Sequence, residues 1–286
     1  MLQKSLTSRD GLKITYFVHR HKEKKPSLFF IHSYTTNYTM FSRQYEFFQK
    51  DFNIFAVDIR GHGKSGKSTK KCSFSLEKFA SDIRAIFDRE KIKSATLIGV
   101  SLGGIISLKC SETLKGRIDS LVIISSSYNF LKTTTRPFMM LEKVISRIKV
   151  RDPFFYRKKW FSKYIPDRSS FYLDFSKLKT ENLRKEAFIQ FSKSIDKDSL
   201  HSLVLISKQM ITWDVMHIVE KIRIPCLFLA GADDTFVRPL AACEMAALIP
   251  GSELRVIANA NHDLILQKPD TVSRIMDAFL KRVYKI

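Results

Sequence analysis

The stretch Gly99-Val100-Ser101-Leu102-Gly103 decides the fold, because it places one serine between two glycines where a strand gives way to a helix. The apolar run Ala95-Thr96-Leu97-Ile98 before it has the composition of a buried strand, and the segment that begins at Gly104 is helix-like. So short a connection requires a sharp turn, and glycine on both sides leaves room for neighbouring backbone. The pattern therefore predicts a serine hydroxyl presented at one edge of a sheet.

A serine becomes a nucleophile only when a histidine accepts its proton and a carboxylate orients that histidine. The downstream sequence offers both after strand-like runs. The run at 225–230 leads into Gly231-Ala232-Asp233-Asp234, and the run at 254–257 leads into Ala258-Asn259-Ala260-Asn261-His262. The chain order is therefore Ser, Asp, His, with each residue on a loop that follows a strand.

This order resembles the α/β-hydrolase fold family, and the resemblance covers nearly the whole chain except its middle. Two further blocks agree with it. His32-Ser33-Tyr34 is similar to the His-Gly oxyanion loop of the family, and the run from Asp58 to Ser65 is similar to its D-x-R-G-x-G-x-S turn. The resemblance implies an α/β fold: a mostly parallel central sheet with helices on both faces, plus an inserted helical cap.

The resemblance also implies a catalytic triad. By this analogy Ser101 would attack an acyl carbonyl, and His262 would act first as general base and then as general acid. Asp234 would hold His262 in one tautomer, and it is preferred to Asp233 because the family's acid sits three residues after the strand-terminal glycine. Many relatives carry the acid after the preceding strand, but the segment 124–129 has no carboxylate.

Two backbone amides are expected to stabilise the oxyanion, by analogy with the family: that of Leu102, directly after the nucleophile, and that of Tyr34. Ser33 stands where relatives usually have glycine. If that position requires a positive φ, serine is strained there by roughly 1 kcal/mol or more.

Four other residues of these blocks are given structural roles. His32 and His62 are expected to bond loop backbone, Asp58 to form a turn, and Arg60 to stabilise the fold. The remaining histidines carry no motif and are expected to be surface or internally bonded groups: His19, His21, His201 and His217.

Strand-like and helix-like periods alternate along the chain, which is typical of a parallel sheet covered on both faces. Helices are predicted, among other places, at 40–49 and 272–284. We assign residues 1–127 and 222–286 to the α/β core domain and residues 128–221 to the cap. The cap region is basic and aromatic, and Phe154-Phe155-Tyr156-Arg157-Lys158-Lys159-Trp160-Phe161-Ser162-Lys163-Tyr164 interleaves rings with cations. One interpretation is a lid that contacts anionic lipid and lines an acyl-chain pocket. The alternative is that the rings pack within the cap while the lysines are solvated.

The formal net charge is +21. This charge is spread over the chain and accompanies no nucleic-acid-binding motif, so no nucleic-acid partner is expected. The first ten residues lack the apolar core of a secretion signal, and no run approaches the roughly 20 apolar residues of a membrane span. We therefore expect a cytoplasmic protein, with peripheral membrane contact as an open alternative. The four cysteines show no C-x-x-C spacing, so buried free thiols are expected rather than disulfides or a metal site. No cofactor is expected.

The function predicted from the sequence is a serine hydrolase that cleaves small-molecule carboxylic esters, of lipid-like or aryl type, through an acyl-enzyme. The same triad could act on thioesters, lactones or carbon–carbon bonds, or transfer the acyl group. A ligand-binding relative without turnover is the alternative from another class. Ser101 disfavours epoxide hydrolases and dehalogenases, which carry aspartate at this turn in the family. The sequence leaves the oligomeric state open.

Overall fold

A computed structural model describes residues 1–133 and 197–286 of the chain. The aromatic and basic segment 154–164 and most of the predicted cap lie outside the described residues. The cap boundaries at 128 and 221 therefore stay a prediction.

The described residues form an eight-stranded sheet in the order β1-β2-β4-β3-β5-β6-β7-β8. Strands β3 to β8 run parallel to one another, and β1 and β2 form an antiparallel extension at one edge. The mostly parallel sheet is thereby confirmed, and β1 is an additional strand that the hydrophobic pattern does not predict. The bounds are β1 Leu2–Thr7, β2 Lys13–His19, β3 Ser27–Ile31, β4 Asn53–Asp58, β5 Ala95–Val100, β6 Ile118–Ile124, β7 Cys226–Gly231 and β8 Glu253–Ile257.

Helices cover both faces of the sheet. They are α1 Ser42–Phe48, α2 Leu76–Arg89, α3 Leu102–Thr113, α4 Phe130–Thr133, α5 Lys197–Met210, α6 Met216–Val219, α7 Leu240–Leu248, α8 Leu264–Gln267 and α9 Pro269–Tyr284, with short 3₁₀ turns at Tyr38–Phe41 and Lys71–Phe74. Two hydrophobic clusters divide between the faces. One joins the sheet to α2, α3 and α7, and the other joins it to α1 and α9. Burial of these two apolar faces is the main stabilising contribution to a sheet of this kind.

The end of the predicted cap packs against the core. Ile206 on α5 and Val219 on α6 are fully buried in the same hydrophobic cluster as α2 and α3. Because α5 is packed in this way, it provides a fixed surface above the carboxyl ends of the strands. Within the part of the chain that the structure describes, no helix has both the length and the apolar character needed to cross a bilayer.

Arg60 joins the amino-terminal hairpin to the helical layer. Its guanidinium is 1% exposed and donates to both carboxylate oxygens of Asp82 on α2 at 2.7 Å. It also donates to Asp10, in the turn between β1 and β2, at 3.0 Å. A buried guanidinium requires this pairing, because an unpaired charge in the interior is very costly. The structural role predicted for Arg60 is confirmed.

Candidate active site

Ser101 lies between β5 and α3 in a strained backbone conformation. Its φ is 52° and its ψ is −112°, a region that a residue with a side chain rarely adopts. The surrounding structure holds it there, since its N–H donates to the Ile124 carbonyl at 2.9 Å. The Ser126 hydroxyl donates to the Ser101 carbonyl at 2.6 Å. The serine is therefore fixed from the neighbouring strand β6 as well as from its own.

The glycines on both sides of Ser101 are required by close backbone contacts. A Cβ at Gly103 would lie 2.6 Å from the carbonyl carbon of Ile31 and 2.8 Å from the His32 carbonyl oxygen. A Cβ at Gly99 would lie 2.5 Å from the carbonyl carbon of Gly103. These distances are far below normal contact, so the predicted reason for glycine at this turn is confirmed.

Asp234 follows β7 and is held by backbone amides. Its side chain is 1% exposed, and its Oδ1 accepts from the N–H of Phe236 at 2.8 Å and of Val237 at 2.9 Å. Asp233, by contrast, is exposed to solvent. Of the two carboxylates, Asp234 is therefore the one built into the structure, and its Oδ2 remains directed toward a third partner.

That partner is His262, which lies on the loop after β8. Its Nδ1 is 2.8 Å from Asp234 Oδ2, and its Nε2 is 3.0 Å from Ser101 Oγ. An ionised carboxylate can only accept, so Nδ1 carries the proton and Nε2 is left to accept from the serine hydroxyl. The structure thus brings together three side chains that are widely separated in the sequence.

The loop of His262 approaches the end of β7 because residue 231 is glycine. A Cβ at Gly231 would lie 2.5 Å from the Asn261 carbonyl oxygen. The Asp233 N–H donates to the Ala260 carbonyl at 2.9 Å, which ties the two loops together. The carboxylate and the imidazole are therefore positioned by the same pair of strand ends.

The two expected oxyanion donors lie beside this cluster in the chain. Leu102 is the first residue of α3, and the N–H groups of a first helical turn have no partner within the helix. Tyr34 lies in the loop after β3, whose carboxyl end packs against Gly103. Both amides thus belong to segments that adjoin the nucleophile turn.

The expected strain in the oxyanion loop falls on a different residue. Thr35 adopts the left-handed conformation, with φ at 61°, whereas Ser33 does not have a positive φ. Ser33 is therefore tolerated where relatives usually have glycine. The sequence gives no signal for Thr35, because left-handed positions are usually marked by glycine, asparagine or aspartate.

The buried histidines His32 and His62 bond loop backbone, as predicted. His32 Nδ1 lies 2.7 Å from the Ser33 carbonyl oxygen, and its Nε2 accepts from the Ile59 N–H at 3.0 Å. His62 Nε2 accepts from the Thr35 N–H at 3.2 Å. Burial holds the pKa of His32 well below its ordinary value and lowers the pKa of His62 to about 4. Both rings are neutral near pH 7, so each keeps one nitrogen as an acceptor.

Asp58 forms the turn predicted for it. Its carboxylate accepts from the N–H of Tyr38 at 2.9 Å and of Lys64 at 2.8 Å. Burial raises the pKa of Asp58 to about 6, against the lowering effect of these hydrogen bonds. These two hydrogen bonds hold the loop after β3 and the turn after β4 together, which is a structural role.

The cysteines contribute no disulfide, since Cys72, Cys110, Cys226 and Cys243 are all free. Burial raises the pKa of the Cys226 thiol to about 12, which makes it an inert core residue. Cys110 and Cys226 are buried as expected, whereas Cys72 is exposed and Cys243 is half-buried. Among residues 1–133 and 197–286, no group of histidine, cysteine and acidic side chains is arranged to hold a metal ion.

Comparison with known proteins identifies the family of the chain. Residues 26–269 match the model of the alpha/beta hydrolase fold. The chain is 23% identical over 273 residues to the AB hydrolase superfamily protein YisY of Bacillus subtilis, covering 93% of this chain and 95% of that protein. It is 22% identical over 261 residues to 3-oxoadipate enol-lactonase 2 of Acinetobacter baylyi, covering 90% of each.

Among solved structures, the chain is similar to the esterase EaEST from Exiguobacterium antarcticum. The TM-score is 0.74 at 20% sequence identity, and the match covers 97% of this chain and 98% of that one. At this identity the likeness establishes the fold alone. With the family model spanning most of its length, the chain belongs to the alpha/beta hydrolase fold family.

Proposed function

We propose that this protein is a serine hydrolase that cleaves carboxylic esters through an acyl-enzyme intermediate. The observation that carries the proposal is the continuous hydrogen-bond chain from Asp234 through the His262 ring to Ser101, with distances of 2.8 and 3.0 Å. These contacts suit the roles of a triad: with the imidazole proton on Nδ1, facing the carboxylate, Nε2 offers a lone pair to the Ser101 hydroxyl.

In the first half of the reaction, Ser101 Oγ attacks the ester carbonyl and His262 Nε2 takes the hydroxyl proton. The imidazolium that forms is stabilised by Asp234, which is buried and close to Nδ1. His262 then gives the proton to the leaving alcohol, and the acyl group stays on Ser101. Water, activated by the same nitrogen, releases the acid in the second half.

The negative charge on the carbonyl oxygen requires donors that are already in place. The backbone amides of Leu102 and Tyr34 would serve, and loss of one such donor costs about 3 kcal/mol of barrier in comparable enzymes. Leu102 is set by the start of α3. Tyr34 is held by its loop. Its side chain is anchored as well, because the hydroxyl donates to the Leu203 carbonyl on α5 at 3.0 Å.

The class of substrate is supported by the names of two similar proteins, an esterase and an enol-lactonase. A lactone is a carboxylic ester closed into a ring, so the same attack and the same oxyanion serve both. Lactones are therefore a second substrate class for this site. Lipid-like or aryl esters, and contact with an anionic membrane, are further proposals based on the aromatic and basic segment 154–164.

Covalent labelling tests the nucleophile directly. A fluorophosphonate probe should label the wild-type protein and fail to label Ser101→Ala. Ser111→Ala, on the far end of α3, is the matched control and should label normally. Labelling of Ser101→Ala at the wild-type rate would refute the assignment.

Turnover is tested with nitrophenyl esters of graded chain length and with simple lactones. An acyl pocket predicts different rates for acetate and decanoate, and equal rates would argue against it.

Membrane contact is tested by sedimentation with anionic vesicles. Binding at low salt that weakens as salt is added would support the contact, since salt screens the charges of the lysines. Protein that stays in the supernatant at low salt would refute that contact.

A further inference from the structure

His62 links the turn after β4 to the oxyanion loop. It is fully buried, and its Nδ1–H donates to the Arg60 carbonyl at 3.2 Å, while its Nε2 accepts from the Thr35 N–H at 3.2 Å. Its ring also lies 5.9 Å from the ring of Tyr34, with a steep interplanar angle of 72°. The imidazole therefore contacts the loop at two successive residues.

Tyr34 lies between two peptide units that are held by hydrogen bonds. On one side, the Ser33 carbonyl accepts from the Thr36 hydroxyl at 2.7 Å and faces His32 Nδ1 at 2.7 Å. Because a trans peptide is planar, the carbonyl of residue 33 and the N–H of residue 34 point in opposite directions. Fixing that carbonyl therefore fixes the line along which the Tyr34 N–H points.

On the other side, the peptide unit between Tyr34 and Thr35 is held by His62. This is the side on which the backbone is strained, because Thr35 is a β-branched residue with φ at 61°. The Thr35 hydroxyl also donates to the Tyr34 carbonyl at 2.6 Å. A threonine keeps the left-handed conformation only where surrounding contacts stabilise it. For Thr35, the hydrogen bond from its N–H to His62 Nε2 is a contact from another part of the fold.

His62 is itself anchored. Its turn is held by Asp58 and Arg60, and the neighbouring Gly61 faces α5, where an added Cβ would lie 2.9 Å from Ile206 Cδ1. Burial lowers the pKa of His62 to about 4, so Nε2 is an acceptor at neutral pH. The loop is therefore held by a neutral ring that is fixed in one tautomer.

We propose that His62 is a positioning residue for ester hydrolysis: it holds the strained peptide unit that follows Tyr34 and so, together with the contacts of the Ser33 carbonyl on the other side, keeps the Tyr34 N–H in place for the tetrahedral oxyanion. This inference rests on the proposed function. It assigns to the D-x-R-G-x-G-x-S turn a role in the reaction besides the structural one of Asp58 and Arg60.

Two variants separate this role from simple packing. His62→Phe keeps an aromatic ring but removes the acceptor, and His62→Gln keeps an acceptor near the position of Nε2. The loop is used mainly in the transition state, so His62→Phe should lower kcat at least tenfold while KM changes less than threefold. His62→Gln should recover most of kcat.

Hydrogen exchange followed by mass spectrometry gives a readout that is independent of activity. The peptide that contains residues 33–36 should exchange faster in His62→Phe than in the wild type, and His62→Gln should restore its protection. Kinetic values are normalised to folded protein, so that a loss of fold is not counted as a loss of kcat.

The outcomes are distinct. Wild-type kcat in folded His62→Phe, or an equal loss in His62→Gln, would overturn the positioning role. Unchanged exchange of residues 33–36 in His62→Phe would overturn it as well. A wild-type protein that neither binds fluorophosphonate nor hydrolyses any ester would refute the proposed function instead, and the exchange comparison would still decide whether His62 holds the loop.

Discussion

Replacing Asp234 by asparagine changes the proposed triad at a single atom. The new side chain keeps an oxygen that can accept from the N–H groups of Phe236 and Val237, which now donate at 2.8 and 2.9 Å. An amide NH₂ then replaces the oxygen that faces His262 Nδ1. Since both groups would be donors, the imidazole must move its proton to Nε2 and present a lone pair at Nδ1.

In that tautomer His262 can no longer accept the proton of Ser101. The nucleophile loses its base while the turn, the strain and the oxyanion amides stay in place. Loss of the correct tautomer lowers kcat by about 10⁴ in enzymes with this triad, or roughly 5 kcal/mol of barrier. Because the two backbone hydrogen bonds remain, we expect the midpoint of thermal unfolding to change little.

The assay is the initial rate on the nitrophenyl ester that the wild type hydrolyses best, measured with Asp233→Asn as the matched control. Asp233 is exposed and one residue away, so its variant carries the same change in charge without touching His262. We expect the control to keep wild-type kcat. Activity in Asp234→Asn above a tenth of wild type, or an equal loss in Asp233→Asn, would refute the assignment of the acid.

Two further predictions concern stability. Gly103→Ala places a Cβ 2.6 Å from the carbonyl carbon of Ile31 and should lower the free energy of unfolding by about 3 kcal/mol. Gly116 is the control, because its φ is +82° and an added Cβ would have no atom within 4 Å. Gly116→Ala should lower the free energy of unfolding by only about 1 kcal/mol, from the positive φ alone. Equal losses in urea titrations would contradict the steric explanation for Gly103. The second prediction concerns pH. The lowered pKa of His62 means that the unfolded chain binds the extra proton, so stability falls as pH drops from about 6.5 toward about 4. His62→Gln should remove ~2 kcal/mol of the stability that the wild type loses between pH 7.5 and pH 5. Identical pH slopes in the two proteins would contradict the lowered pKa of His62. The raised pKa of Asp58 acts in the opposite sense, but it is common to both proteins.

The site was accessible to sequence reasoning where a residue type follows directly from a local constraint. Glycine at 99 and 103 is required by backbone contacts at the turn, so the turn could be predicted from the residues themselves. Asp234 is preferred to Asp233 by analogy with the position of the family's acid, and the structure adds the physical difference, which is burial and two amide donors.

The parts that could not be predicted depend on contacts between distant segments or on weak patterns. Strand β1 carries only two apolar residues, Leu2 and Leu6, and lies at the sheet edge with mostly exposed side chains. Its pairing with β2 stabilises it, and no hydrophobic period marks it. The hydrogen bond to His62 holds Thr35 in the left-handed conformation. His62 is 27 residues away in the sequence, so no local sequence pattern indicates this conformation.

The predicted helix around 40–49 divides into a 3₁₀ turn at Tyr38–Phe41 and α1, because Asn37 caps the turn with its side chain on the Thr39 N–H. The last helix begins at Pro269, three residues earlier than its apolar pattern. Proline is favourable in the first turn of a helix, where its missing N–H costs nothing. Both differences are boundary effects that arise from caps and not from the hydrophobic period.

The bidentate pairing of Arg60 with Asp82, extended to Asp10, has a practical consequence for anyone who shortens or tags this chain. Deleting the first ten residues would remove Asp10, one of the two carboxylates that pair with the buried Arg60. It would also remove β1 and leave the backbone groups of β2 unpaired along that edge of the sheet. Such a truncated protein should self-associate through that open strand. Fusion partners are better placed after α9, where Ile286 is exposed.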